Sequence, residues 1–580
     1  MTGAGSTAGQ LAGEPASISG AKAALAISVI AALALFSGLA RGIPRVYDLP
    51  DHLGYTWHVL QGFERGDFYP RWFAFVNDGF GEATFVFYPP MLHWIAAAIA
   101  ALFGGDVLLG LYLALFLFAV LGGIGVYLWV GRRFGAIAGA TACLLLAMVP
   151  YRVFVMYDSG LYSAFAAAGV APWALLALAR IVETPDAPRR ESLRAVCLWA
   201  VAFAAIILTN MPSAVLWSYL IAIWMFVDFL VTRRWNVALR VLGGGLWACL
   251  IAAVYLVPAV IEMRAFAVPL EGVYRSNFLF QISGSWMKPG LKSVFDRMGL
   301  FPALALVASL AVLVVARERG ALSGIRKRVF LRQTATLGLA SLVLATPISL
   351  WAWRWLPQLS RVDMPWRLLE PLGLITACVT AAALSLLASR SGPYRLLRAL
   401  ALVFFVCLGM VCLVFDFALS DANGHMSAAT ARASVPAFAR KEVFFLPKGA
   451  RRAAEMAATP PVSCETPCRV EILDWSPTRR RFRVASAQPN HVLLRTYFFP
   501  GWRAEAGGGS SVRLPASAEP GTGRIQVDFP AGEHEVLVWF GTTPPRVVGG
   551  CLSMVALAAW VGAMALTRRG YIRSDITTPA

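Results

Sequence analysis

Long apolar runs separated by short polar segments dominate the chain. Each run is long enough, or nearly so, to cross an apolar layer about 30 Å thick as an α-helix. The runs cover residues 23–40, 88–104, 107–130, 134–150, 161–180, 193–209, 213–231, 237–260, 299–316, 331–349, 368–388, 397–417 and 546–566. The pattern predicts a polytopic α-helical membrane protein with about 11–13 transmembrane helices. Its transmembrane domain spans 21–417, and a final helix and cytoplasmic tail occupy 546–580.

Basic residues follow several of these runs, which is the pattern of cytoplasmic loops. The segments predicted to lie inside are 132–133, 180–194, 233–240, 317–332, 390–398 and 568–573. The segments left outside are 41–87, 261–298, 350–367 and 418–545. With 41–87 outside, the runs 88–104 and 107–130 cannot both be full crossings. We expect 88–104 to be re-entrant or broken, because prolines and glycines bracket it; the alternative is an N-terminus on the outside.

Residues 418–545 differ in kind from the rest of the chain. Short stretches of alternating hydrophobicity, such as 481–484 and 492–498, are separated by Gly and Pro clusters. That alternation is typical of half-buried strands and turns. We therefore predict an extracytoplasmic antiparallel β-sandwich. Cys464 and Cys468 lie in this region, and their spacing is compatible with a disulfide bond or with two free thiols.

Composition agrees with a membrane protein. Only 14% of the residues are charged and 58% are hydrophobic, against about 25% and 45–50% in soluble proteins. The net charge of +19 would raise nucleic acid as a partner, but the arginines cluster just beyond apolar runs, and we expect none. Residues 1–20, rich in Gly, Ala and Ser, are predicted to be disordered.

The segment 47–90 is the first candidate for chemistry. It holds six carboxylates among many aromatic residues, namely Asp48, Asp51, Glu64, Asp67, Asp78 and Glu82. Acidic residues beside an aromatic-rich surface segment suit a reaction at the lipid–water boundary. No spacing singles out a set of metal ligands, and the six histidines are scattered. We expect no metal or other cofactor, with a divalent metal left open.

Several motifs of the chain resemble a known family in the expected order. In the first loop these are Asp51-His52, Gly66-Asp-Phe-Tyr-Pro-Arg-Trp72 and Phe87-Tyr-Pro-Pro90. Later ones are Ala253-Val-Tyr-Leu-Val-Pro-Ala-Val-Ile-Glu262, Met364-Pro-Trp-Arg-Leu-Leu369, Phe498-Phe-Pro-Gly-Trp502 and Pro530-Ala-Gly-Glu-His534. Together they resemble a bacterial GT-C-like family whose members are labelled membrane 6-pyruvoyl-tetrahydropterin synthase-related proteins and are similar to YfhO-type glycosyltransferases. The pterin label implies little, since no histidine cluster is present.

The resemblance implies a GT-C-like membrane glycosyltransferase in the bacterial inner membrane. Such an enzyme transfers a sugar from a polyprenyl-phosphate donor to an extracytoplasmic acceptor, which could be a cell-envelope glycan, a glycolipid or a protein, with inversion at the anomeric carbon. Its general base would match Asp51 best and Asp48 second. The residues implied to contact substrate are His52, Arg71, Tyr88, Glu262 and Arg367, with the two arginines beside the lipid phosphate.

The chain departs from the family pattern after Pro150-Tyr151. An Arg-Gly…Glu element expected there is missing, and its charged positions correspond to Ser159 and Ala164. Asp158 is the candidate to replace it.

Simpler interpretations stay open. Asp51 could be no more than a helix-capping or solvated residue. Arg71 and Arg367 could contact lipid headgroups and not substrate. Two other classes of protein also compete with the enzyme, a transporter or flippase of lipid-linked glycans and a non-catalytic envelope assembly protein. Transporters usually place charges mid-helix or show inverted repeats, and neither pattern is evident here.

Overall fold

A computed structural model describes residues 18–266, 272–281, 289–388, 395–421, 423–441, 446–507 and 512–574. Residues 1–17 of the predicted disordered start and parts of the loop 261–298 lie outside these ranges. The helices are α1 Ile18–Phe36, α2 Leu49–Glu64, α3 Thr84–Phe87, α4 Met91–Leu102, α5 Val107–Phe134, α6 Ala136–Ala147, α7 Pro150–Phe154, α8 Tyr162–Glu183, α9 Arg189–Thr209, α10 Met211–Thr232, α11 Trp235–Ile251, α12 Ala253–Glu262, α13 Pro289–Glu318, α14 Ile325–Leu344, α15 Leu350–Trp355, α16 Leu369–Ala388, α17 Arg395–Asp421, α18 Ala428–Phe438 and α19 Pro544–Ser574.

Within the described ranges, nine helices are long and apolar enough to cross a membrane, or up to twelve when three bent pairs each count as one span. The bends are 44° between α6 and the segment from Pro150, 75° between α11 and α12, and 86° between α14 and the segment from Pro347. Proline at the start of a helix cannot continue the hydrogen-bond ladder of the preceding one, which explains the first and third breaks. Helix α4 has 12 residues, about 18 Å, which is too short for a crossing.

The C-terminal domain is an antiparallel β-sandwich, as the sequence predicts. Its strands are β3 Val462–Cys464, β4 Arg469–Ser476, β5 Arg479–Ser486, β6 Asn490–Tyr497, β7 Trp502–Gly507, β8 Val512–Leu514, β9 Ala516–Ala518, β10 Arg524–Phe529 and β11 Gly532–Phe540. They form a four-stranded sheet in the order β3-β6-β10-β9 and a five-stranded sheet in the order β4-β5-β11-β7-β8. Alternate residues such as Phe482, Val484 and Val492 fill the space between the sheets. Cys464 and Cys468 form a disulfide bond.

The region predicted to be β-rich, 418–545, begins with helical structure before the sandwich. Helix α17 continues to Asp421, and α18 follows at Ala428–Phe438. The Ser427 hydroxyl caps α18 by accepting a hydrogen bond from the Thr430 N–H at 3.0 Å, as N-cap serines do. A short ribbon joins this region to the first loop, with β1 Ile43–Pro44 antiparallel to β2 His425–Met426.

The sandwich packs directly on the first loop of the helical domain. The indoles of Trp72 and Trp502 meet edge to face at 5.1 Å between centroids, and Phe80 lies 5.2 Å from the ring of Tyr497. Trp72 and Phe80 share a buried apolar cluster with the sandwich core. The two parts therefore share buried apolar surface and do not sit side by side as separate units.

Candidate functional site

Asp48 and Asp51 lie together at the start of α2, at the end of the bundle that carries the sandwich. Asp48 occupies the N-cap position without capping through its side chain, and Asp51 lies in the first turn. The Asp48 N–H donates to the Ser159 carbonyl at 3.1 Å. Gly160 makes this approach feasible, because its φ is +75° and a Cβ there would lie 2.7 Å from the Val46 side chain. The segment around Ser159 and Gly160, where the chain departs from the family pattern, therefore holds the first loop through backbone contacts.

Two cations and a third carboxylate complete this cluster. The Lys441 Nζ donates to both carboxylate oxygens of Asp51 at 3.1 Å. Arg367 pairs with Asp363 at 3.3 Å, and the charges of Arg367 and Lys441 both attract Asp48. The Asp48 carboxylate makes no hydrogen bond with any residue in the described ranges. Of the two aspartates at the start of α2, Asp51 is thus paired with a cation and Asp48 is free to accept a proton.

Burial and charge set the acidity of the two aspartates. Burial, followed by repulsion from Asp51, raises the pKa of Asp48 to about 6, and the attraction of Arg367 and Lys441 limits the rise. Burial also raises the pKa of Asp51, against the attraction of Lys441. At neutral pH Asp48 is ionised and still basic enough to take a proton.

His52 and Tyr88 support the cluster from beneath. The His52 ring is buried and stacks on His93 at 5.2 Å, with 3.3 Å between their ring nitrogens. Burial lowers the pKa of His52 to about 3, so it is neutral at physiological pH. The Tyr88 hydroxyl donates to Ser163 at 3.0 Å. His52 thus packs against His93, and Tyr88 is close enough to interact with the charges of Asp48 and Arg367.

Arg71 and Glu262 lie near the junction between the sandwich and the last helix, α19. The Glu262 carboxylate accepts from the Arg546 guanidinium at 2.8 Å and from the Thr543 hydroxyl. Arg546 also donates to the Pro500 carbonyl at 2.7 Å, which joins the sandwich to the last helix. Arg71 donates to the Val254 carbonyl at 3.0 Å. Glu262 is therefore the centre of a structural junction, and the structure places it with Arg546 and Arg71 and not with Asp51.

Lys441 and Asp363 belong to the cluster but lie outside the motifs predicted to carry the site. Lys441 follows α18 and is held by its own carbonyl, which accepts from the Asn77 N–H at 3.2 Å, but it is 390 positions from Asp51 and no motif marks it. Asp363 could be predicted from the sequence, because it directly precedes the Met364-Pro-Trp-Arg motif and lies four residues before Arg367. Among the described residues, no group of three or more His, Cys, Asp or Glu side chains converges on a metal-sized space.

These features define a multi-pass membrane protein with a charged cluster under a β-sandwich. A family model described as the 6-pyruvoyl-tetrahydropterin synthase related domain, membrane protein, matches residues 85–423. The chain belongs to this family. No curated protein matches the sequence.

Several solved structures of membrane glycosyltransferases are partly similar to this one. The archaeal oligosaccharyltransferase AglB from Archaeoglobus fulgidus aligns with 13% identity and a TM-score of 0.47, over 70% of this chain and 56% of its own. ArnT from Cupriavidus metallidurans aligns with 17% identity and a TM-score of 0.43, over 72% and 73%. The mycobacterial arabinofuranosyltransferase AftD aligns with 19% identity and a TM-score of 0.41, over 70% and 26%. This chain thus spans little more than half the length of the archaeal protein, and we transfer no residue role from these similarities.

Proposed function

We propose that the protein is a GT-C-type glycosyltransferase that moves a sugar from a polyprenyl phosphate to an acceptor hydroxyl. The observation that supports this most is the free Asp48 carboxylate, set beside Asp51, Lys441 and Arg367 at the mouth of the helical bundle. A base, a pair of cations and a nearby membrane surface are what this reaction needs.

The reaction is a single displacement. The acceptor oxygen attacks the anomeric carbon, the bond from that carbon to the phosphate oxygen breaks, and polyprenyl phosphate leaves with the electron pair. Asp48 takes the acceptor proton, and the anomeric centre inverts. Asp48 suits this role better than Asp51, because Asp51 is held by Lys441 and Asp48 has a pKa near neutrality.

The cations act on the leaving group. Arg367 lies at the start of the segment that leads into α16, with 14% of its side chain exposed. A guanidinium in this position can stabilise the negative charge that grows on the phosphate. Lys441 lowers the pKa of both Asp51 and Asp48, against the effect of burial. We place the site on the outer face of a bacterial inner membrane, because the arginine-rich loops belong on the other side.

A transfer assay on the purified full-length protein tests the proposal. The wild type and the variants Asp48→Asn, Asp51→Asn and Asp67→Asn are incubated with undecaprenyl phosphosugars and envelope acceptors. Removing a general base lowers the rate by roughly 10²–10⁴-fold, so we expect this loss for Asp48→Asn. Asp67 is the matched control from the same loop. It is exposed and only accepts the Tyr69 N–H, which an asparagine can also do.

Two results would overturn the proposal. Unchanged transfer by Asp48→Asn would show that Asp48 is not the general base of the reaction. Absence of transfer by the wild type with every donor, together with movement of the intact lipid-linked glycan across a vesicle membrane, would favour the flippase.

A further inference from the structure

Arg152 is a buried cation that neither the motifs nor the proposed reaction uses. It lies on α7, directly after the break at Pro150, and only 6% of it is exposed. Its guanidinium rests 4.6 Å above the Phe165 ring. The Nε atom is fully buried without a hydrogen-bond partner. No hydrogen bond joins the two Nη atoms to any residue in the described ranges.

Glu370 faces Arg152 from α16 without touching it. Its charge and that of Arg152 are close enough to interact. However, no ion pair within 4.0 Å joins these two described residues. One oxygen of Glu370, Oε1, is fully buried and makes no hydrogen bond of good geometry within the described ranges, although the indole of Trp217 lies close to the carboxyl group. Buried opposite charges that stay apart are unfavourable unless a polar group satisfies both of them.

The gap between these charges is connected to the proposed reaction site. Glu370 lies three residues after Arg367, about one helical turn further into the bundle. Tyr151 interacts with the charges of both Arg367 and Glu370, and its hydroxyl has no hydrogen-bond partner in the described ranges. The Tyr151 ring is 6.2 Å from that of Trp366. Tyr151 therefore lies between the carboxylate cluster and the Arg152–Glu370 pair, with the Trp366 ring beside it.

We infer that Arg152 and Glu370 form a subsite for the hydroxyl groups of the donor sugar. A hydroxyl group both donates and accepts hydrogen bonds, so one sugar can satisfy a guanidinium and a carboxylate at once. The aromatic rings beside the gap suit the apolar face of a sugar. The inference rests on the proposed function, and it extends that function by assigning residues that select the sugar.

Binding measurements with and without the sugar test this subsite. The probes are undecaprenyl phosphate alone and undecaprenyl phosphate carrying a hexose, a pentose or an aminosugar, titrated into the full-length protein in detergent. We expect the wild type to bind at least one sugar-bearing lipid more tightly than the bare lipid. Arg152→Gln and Glu370→Gln should lose roughly 10- to 100-fold of that difference, which one or two hydrogen bonds to charged groups supply. Their affinity for the bare lipid should not change.

Asp228→Asn is the matched control. Asp228 is also buried and pairs with Arg332 at 2.6 Å, elsewhere in the bundle, so this variant reports what loss of a buried charge does by itself. In this variant the difference in affinity between the sugar-bearing lipid and the bare lipid should equal that of the wild type.

Each other outcome has a definite meaning. Equal loss of both lipids in the Arg152 and Glu370 variants would show a phosphate-binding or purely structural role and would overturn the inference. If the Arg152 and Glu370 variants kept the full difference in affinity between the sugar-bearing and bare lipids, these side chains would not contact the sugar, and the inference would be overturned. Failure of the wild type to bind any lipid would instead reject the proposed function itself, together with the subsite.

Discussion

Replacing Asp48 by asparagine should stabilise the protein near neutral pH while abolishing transfer. In the folded protein the pKa of this carboxyl is raised from 3.8 to about 6, chiefly by burial. The ionised form is therefore less favourable in the folded state than in the unfolded state. Asparagine has a similar shape and no charge, so it removes the unfavourable ionisation.

The magnitude and the pH window follow from the two pKa values. A rise from 3.8 to about 6 corresponds to at most about 3 kcal/mol, at about 1.36 kcal/mol per pH unit. Between these values the unfolded state binds fewer protons than the folded state, so the stability of the wild type falls as pH rises. Above about pH 6 the loss is complete. Below about pH 4 both states are protonated, and the wild type and the variant should be equally stable.

Unfolding in detergent at about pH 4 and about pH 7.5, followed by tryptophan fluorescence, measures this difference. Asp48→Asn should unfold at a higher temperature than the wild type at the upper pH only. Asp67→Asn, from the same loop, should match the wild type at both. If Asp48→Asn were less stable at pH 7.5, or more stable by the same amount at both pH values, the reasoning from burial of a charge would be refuted.

Three further variants test the arrangement around the site. Glu262→Gln leaves the Arg546 guanidinium buried without its counter-charge, so it should lower the free energy of unfolding by about 3–5 kcal/mol. A thermal melt measures this, and the double variant with Arg546→Gln should lose less than the sum of the single variants. Gly160→Ala forces a left-handed backbone on alanine at a cost of about 1–2 kcal/mol, and it should reduce transfer measured at saturating donor by displacing the first loop. Lys441→Gln removes a cation that lowers the pKa of Asp48, the proposed base, so the acid limb of the pH–rate profile should move to higher pH. A profile that moved to lower pH would contradict the electrostatic assignment.

Periodicity predicts the large elements of the fold well. Apolar runs are long and uniform, so the spans and the sandwich could be located from the sequence, and the family model agrees with the resemblance of the motifs. The bends were harder to predict, because a bent helix and a straight one have the same composition. Helix α18 was missed because its run of alanines lies in a polar region, although Ser427 is a readable capping signal.

The charged cluster could be predicted only in part. Asp48, Asp51, Tyr88 and Arg367 stand in recognisable motifs, and the structure brings them together. Lys441 could not be predicted, because a salt bridge across 390 positions depends on how α18 folds back onto the first loop. Glu262 stands in an equally clear motif but serves the junction with Arg546, since a sequence motif does not distinguish a binding role from a supporting one.

The contact between the first loop and the sandwich affects how the protein can be shortened. Trp72 and Phe80, which are 4% and 0% exposed, lie under strands that are encoded more than 400 residues later. A truncated chain that stopped before those strands would present large aromatic side chains to water, and such patches promote aggregation. We therefore expect the helical part alone to need this surface redesigned before it stays in solution without the sandwich.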